Sequence, residues 1–196
     1  MATVKTPLQS YDASGQIGKN VVHFKWKGIH CIRGYVIPAN PKTAAQIAVR
    51  THFKGSVLEW HLTQATLEMN NAWKRWVERV RKPWTALNCF VGLRVKALQA
   101  GHIFTRYHTY LLGTVTATSI AFSIKGDAAS SPTVWYGTSM TYTPMHEMMI
   151  WSAANTRWEV TLSSLTPSTV YYYWVIAEQA NNDTQTGLFR TKTLAG

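Results

Sequence analysis

Residues 165–175 read Leu-Thr-Pro-Ser-Thr-Val-Tyr-Tyr-Tyr-Trp-Val, so Leu165, Pro167, Thr169, Tyr171, Tyr173 and Val175 fall at strict two-residue spacing. Alternate side chains of a β-strand point to opposite faces, and this run therefore predicts a strand with aromatic groups on both of them. Working outward, Ile120, Phe122 and Ile124 alternate in another run, and Trp158, Val160 and Leu162 do so within Arg157–Leu162. Further β-rich runs occupy Thr133–Tyr136, His146–Trp151, Val170–Glu178 and Gly187–Thr193. Turn-forming stretches such as KGDAASSP, SAAN, LTPS and NNDTQTG separate them. Short strands at intervals of about ten residues predict a β-sandwich over residues 114–196, with a further strand expected around Ile103–Leu112.

The pattern upstream is different. Val22, Phe24 and Trp26 alternate with His23, Lys25 and Lys27, Gly28 offers a turn, and Ile29–Ile37 returns as a second strand. This predicts a β-hairpin. Asn40-Pro41 suits a helix start, with Ala45, Ala48, Val49, His52, Phe53 and Trp60 at helical spacing. A second helix carries Met69, Trp73, Trp76, Val77 and Val80 on one face and Lys74, Arg75, Glu78, Arg79 and Arg81 on the rest, with Pro83 ending it. Thr85 then caps a third, which turns Leu87, Phe90, Val91, Val95 and Leu98 inward and closes at Gly101. The fold class expected is an α+β module of one hairpin and three helices, residues 1–113, followed by the all-β sandwich.

Charge follows the same division. The chain of 196 residues has a formal net charge of +11. Residues 1–113 hold 16 basic and 4 acidic side chains, a balance of +12, whereas 114–196 hold 4 and 5, a balance of −1. One module is thereby expected to face a polyanion or an acidic protein surface. The cations assigned to that contact are Lys25, Lys27, Arg33, Lys74, Arg75, Arg79, Arg81 and Lys82. Trp73 and Trp76, three apart on a helix, are expected in its core.

Other classes receive little support. No run approaches the roughly 18–20 apolar residues that span a bilayer, and no membrane contact is expected. The opening MATVKTPLQSYDASGQIGKN lacks an apolar signal core, so export is absent or follows another route. Cys31 and Cys89 are too few for a disulfide framework, which makes a reducing compartment the default. His23, His30 and Cys31 lack a fourth ligand and zinc spacing, so neither metal nor cofactor is expected. His146-Glu147 is an isolated pair, and without a nucleophile or phosphate-binding motif the chain reads as no enzyme.

Two resemblances extend this reading. The Leu165–Val175 pattern resembles the corner of a fibronectin type III domain, where a tyrosine hydroxyl bonds back to the backbone and locks a crossover between sheets; Leu165, Pro167, Thr169 and Tyr171 define it. Leu188-Phe189-Arg190-Thr191 is similar to the last strand of that family, although Phe122 stands where many members place tryptophan. In the first module, Gly18-Lys19-Asn20, Trp26-Lys27-Gly28, Arg33, Pro38-Ala39-Asn40-Pro41-Lys42-Thr43 and Gln46, with Trp60, Trp73 and Thr85–Phe90, resemble a group of small proteins from structural gene clusters of tailed bacteriophages and prophages. That resemblance implies a virion structural protein, made in the bacterial cytoplasm, acting as a multi-copy capsid decoration or a tail or neck component. Its partners would be other virion proteins and copies of itself, with nucleic acid a further contact of the first module. The alternatives are a nucleic-acid-binding protein using the cationic helices, and an adhesion module whose Tyr171–Trp174 aromatic groups stack on glycans or meet a neighbouring subunit.

Overall fold

The computed structural model describes residues 2–3, 14–37, 39–64, 66–126, 131–177 and 184–196. The chain forms two compact units, Met1–Thr43 and Ala44–Gly196.

The first unit is a four-stranded antiparallel sheet in the order β1-β4-β3-β2, formed by β1 (Ala2–Thr3), β2 (Gly15–Ile17), β3 (Val21–Trp26) and β4 (Ile29–Gly34). The expected hairpin is its centre, Val21 pairing with Gly34 and Trp26 with Ile29. Lys27 and Gly28 both take positive φ, 49° and 84°, as a two-residue turn of type I′ requires.

The second unit begins with α1 (Ala44–Glu59), which runs into a π-helical turn, Trp60–Gln64. The helix starts later than Asn40-Pro41 predicts because Lys42 is left-handed at φ 49°, which breaks helical continuity after Pro41. Its inward line also differs in part: Trp60, just past its end, is buried as expected, but Ser56 and Glu59 are buried whereas Val49 and Phe53 are exposed. Only the C-terminal half of α1 is packed, and Glu59 there lies 3.5 Å from the Arg94 guanidinium. Helix α2 (Leu67–Val80) buries Met69, Ala72, Trp73, Trp76 and Val77. Helix α3 (Ala86–Gln99) is capped as expected, the Asn88 amide donating to Thr85 Oγ1 at 3.2 Å, and Gly101 at φ 75° turns the chain out of it.

Two four-stranded antiparallel sheets follow. One is ordered β5-β6-β10-β9, from β5 (Tyr107–Val115), β6 (Ile120–Gly126), β10 (Arg157–Leu162) and β9 (Ile150–Ser152). The other is ordered β12-β11-β7-β8, from β12 (Phe189–Lys192), β11 (Val170–Ala177), β7 (Pro132–Gly137) and β8 (Met145–Met148). The chain changes sheets after β6, after β8 and after β10, which makes a fibronectin-type-III-like, and hence Ig-like, sandwich. The run expected as one strand over His146–Trp151 is divided at the buried Met149, so that β8 and β9 belong to different sheets. Ile120, Phe122, Ile124, Val134, Tyr173, Val175 and Leu162 fill the space between them. Phe122, in the tryptophan-like place, stacks on Tyr173 at 4.7 Å between ring centroids.

The division drawn at Gly113 does not match these units. Gly113 lies inside β5, whose pairing with β6 runs from Tyr107–Gly126 to Val115–Ile120. The helices belong to the same unit as the sandwich, because α2 lies on the strand that ends it. Leu188 N–H donates to the Ala72 carbonyl at 2.9 Å, and Leu188 is wholly buried among Trp60, Trp73, Trp76 and Phe90. Gln64 adds a polar link, accepting from Trp73 Nε1 at 2.9 Å and donating to the Tyr107 carbonyl at 2.6 Å.

Candidate functional site

The corner residues fulfil their expected geometry. The Thr166 amide donates to Tyr171 Oη at 3.0 Å, Leu165 is buried, and Thr169 Oγ1 donates to the Pro167 carbonyl at 2.9 Å. Thr193, which the sequence reading passed over, completes the latch by donating from Oγ1 to the Thr166 carbonyl at 2.7 Å and accepting from the Thr169 amide at 2.9 Å. Tyr171→Phe is expected to cost about 1–3 kcal/mol by leaving the Thr166 amide without its acceptor, read as a lower urea midpoint at unchanged slope.

Strand β11 is covered on both sides. Tyr171, Tyr173, Val175 and Ala177 face the sandwich core, while Tyr172 and Trp174 pack against the helical cluster. Trp76 meets Trp174 at 5.0 Å, and the Arg79 guanidinium lies 4.9 Å from the Trp76 ring and 5.4 Å from that of Trp174. The aromatic face reserved above for a glycan or a neighbouring subunit is thus roofed by the protein's own α2.

The predicted cations separate into different roles. Arg79 is a packing residue, wedged against two tryptophans, and burial draws its pKa below the ordinary arginine value. Arg81 supplies the left-handed residue that ends α2, at φ 53°, its amide donating to Glu78. Lys74, Arg81 and Lys82 are exposed, while Arg75 is half-buried. In the first unit, Lys25 pairs with His30 and Arg33 with Val22, which puts Lys25 and Arg33 on opposite faces of the sheet. His23 shares the face of His30, and Cys31, opposite Phe24, lies on the other. No group of three or more His, Cys, Asp or Glu suited to a metal occurs among the described residues. Cys89 is packed in α3 as expected, and burial pushes its thiol up to about 11.

A concavity of about 520 Å³ on the second unit is lined by Glu68, Asn71 and Arg75 of α2, Tyr110 to Leu112 of β5, and Phe189 to Thr191 of β12. Tyr110 stacks on Phe189 at 4.2 Å. Its hydroxyl is 2.5 Å from that of Tyr173, which lies 2.8 Å from Thr191 Oγ1. Burial is the main cause holding both phenols above the ordinary value of 10.0. Because the folded values exceed the unfolded ones, the stability they contribute is full below pH 10 and is lost as pH rises through them. A melting-temperature profile is expected to fall above about pH 10, and Tyr110→Phe to lessen that fall.

Among the exposed groups, two places stand out. Strands β8 and β9 are the outermost of their sheets and carry Met145, Met148 and Ile150, of which Ile150 is 75% exposed. In the first unit, Trp26 and Ile29 are 58% and 51% exposed beside the Lys27-Gly28 turn. Apolar periodicity does not single out such residues, because their surface position is set by where their strand lies in the sheet. No helix among the described residues is long and apolar enough to cross a membrane.

Neither a family model nor a curated protein sequence matches the chain. Solved structures are similar at the level of the sandwich. The FN5 domain of Drosophila Lar is 17% identical, with 48% of this chain matching 99% of that one at a TM-score of 0.37. The central fibronectin-III array of RIM-binding protein is 16% identical over 46% of this chain and 32% of its own length, at 0.33. PhoD is 15% identical over 44% of this chain and only 19% of its own length, at 0.37.

Proposed function

We propose that this chain is a non-catalytic structural protein of the tailed-bacteriophage particle, a multi-copy capsid decoration or a tail or neck component. The observation that carries the reading is the lateral edge of the sandwich. There β8 and β9 lie side by side in the chain, each paired with a single strand among those described, and together they expose Met145, Met148 and Ile150. Unpaired edges bearing apolar groups are what proteins acting alone blunt with charge, proline or a covering loop. Strands β8 and β9 are only four and three residues long, so what this edge offers another virion protein or another copy is its exposed apolar side chains rather than a long run of backbone groups.

The sequence of the first module lends further support, through its resemblance to small proteins of phage structural gene clusters. Repetition over a particle surface would multiply modest contacts into stable attachment. The cationic first unit supplies the docking half of this scheme and the sandwich edge the half that meets neighbours. Quantitative mass spectrometry of purified particles tests the proposal: the chain is expected at many copies per particle after washing in high salt, and its absence from the particle overturns the reading.

A further inference from the structure

We infer that one face of the β3–β4 sheet is a stacking platform for single-stranded nucleic acid. Residues paired across antiparallel strands project to the same face, so the pairs Val22–Arg33, Phe24–Cys31 and Trp26–Ile29 form one surface. Phe24 and Trp26, two apart on β3, stand about 6.6–6.8 Å from each other along the strand. Trp26 and Ile29 are 58% and 51% exposed whereas Phe24 is half-buried and Cys31 buried, so the open part of this face is its turn end, with Phe24 at its inner margin. Arg33 lies 5.4 Å from the Phe24 centroid and Lys27 6.0 Å from that of Trp26, so each aromatic group has a cation beside it. Aromatic rings interleaved with cations are the elements that hold single strands, the rings taking base faces and the cations the phosphates.

Charge selects this partner. The first unit, residues 1–43, holds Lys5, Lys19, Lys25, Lys27, Arg33 and Lys42 against one acidic residue, Asp12. That excess of five positive charges makes a strand of phosphates the complementary surface. Duplex DNA offers the phosphates but keeps its base faces stacked away, whereas a single strand offers both. This site differs from the cationic α2 face, where Arg79 and Arg81 have structural work. The inference does not rest on the virion assignment, which particle composition decides separately.

Fluorescence anisotropy of labelled dT20 and U20 with the full-length protein provides the test. Binding of either oligonucleotide is expected to weaken as salt rises from 50 to 200 mM, with Lys27→Gln and Arg33→Gln each lowering the salt slope by about 0.7. Trp26→Ala is expected to weaken binding about 5- to 150-fold and Trp26→Phe to restore most of it, as a stacking role requires. Because Trp26 is exposed, both variants should keep the parent's thermal transition, which is measured alongside. No binding of either oligonucleotide at 50 mM salt overturns the inference. So does equal affinity of Trp26→Ala and the parent, a preference for duplex over single strand, or binding confined to vesicles of anionic lipid.

Discussion

A fragment beginning at Thr114 is expected to be unfolded, whereas Ala44–Gly196 is expected to unfold in a single cooperative transition. Cutting there removes Tyr107 to Gly113, most of the strand that pairs with β6, and with it the Tyr110 ring stacked on Phe189. It also uncovers Tyr172, Trp174 and Leu188, which pack with the helical cluster, and leaves the Tyr173 hydroxyl without Tyr110. Each large side chain returned to water forfeits about 1.5–3 kcal/mol. Several together rival the whole stability of a domain, about 5–15 kcal/mol. Near-ultraviolet circular dichroism and amide dispersion in NMR spectra distinguish the outcomes. A dispersed spectrum from 114–196 alone would show that the helices are an accessory and that the sandwich folds without them.

The second large effect is expected at Gly187. A Cβ there would lie 2.4 Å from both the Ala72 carbonyl carbon and the Trp73 amide nitrogen, contacts against helix backbone that no rotamer change relieves. Gly187→Ala therefore has to push α2 away from the strand lead-in, stretching the Leu188 to Ala72 hydrogen bond and opening the layer that contains Trp73. Overpacking of this kind costs about 1–3 kcal/mol or more. With backbone on both sides of the clash we expect the upper end, about 3 kcal/mol, and a melting temperature lower by about 6–12 °C. Gly92→Ala in α3 is the control, since its Cβ meets nothing within 4 Å, and it should be neutral or gain up to about 1 kcal/mol of helix propensity. Helical and aromatic signals are expected to shift together in the Gly187 variant, because one interface holds both.

The sandwich was legible because its signals are local. Alternation placed Ile120, Phe122 and Ile124 inward, and the Leu165–Val175 pattern located a corner whose hydrogen bond forms as expected. The hairpin turn was equally local, since Lys27-Gly28 needs only its own dihedral angles. What escaped was non-local. That Tyr172 and Trp174 face a helix rather than a partner depends on Gly187 admitting the backbone of α2, and nothing in the β-strand run announces its contact with Trp76, far upstream in the chain. The charge boundary misled for a similar reason: composition changes near Gly113, but hydrogen bonding does not, so the strand runs through it. The cations show a third limit, because residue type cannot tell a packed guanidinium such as Arg79 from an exposed ammonium such as Lys74.

The roof that α2 places over the second sheet has a consequence for how copies can be arranged. A bare sandwich offers two broad faces and resembles a bead that can be threaded either way. Here one face is spent, and the outer face of the first sheet, where Leu111, Gly113, Ala121, Ser123 and Thr161 line a shallow surface, is left beside the edge of β8 and β9. The second unit therefore has two unlike faces, one covered by its own helices and one formed by strand side chains, so a copy turned over presents a different surface to the same neighbour.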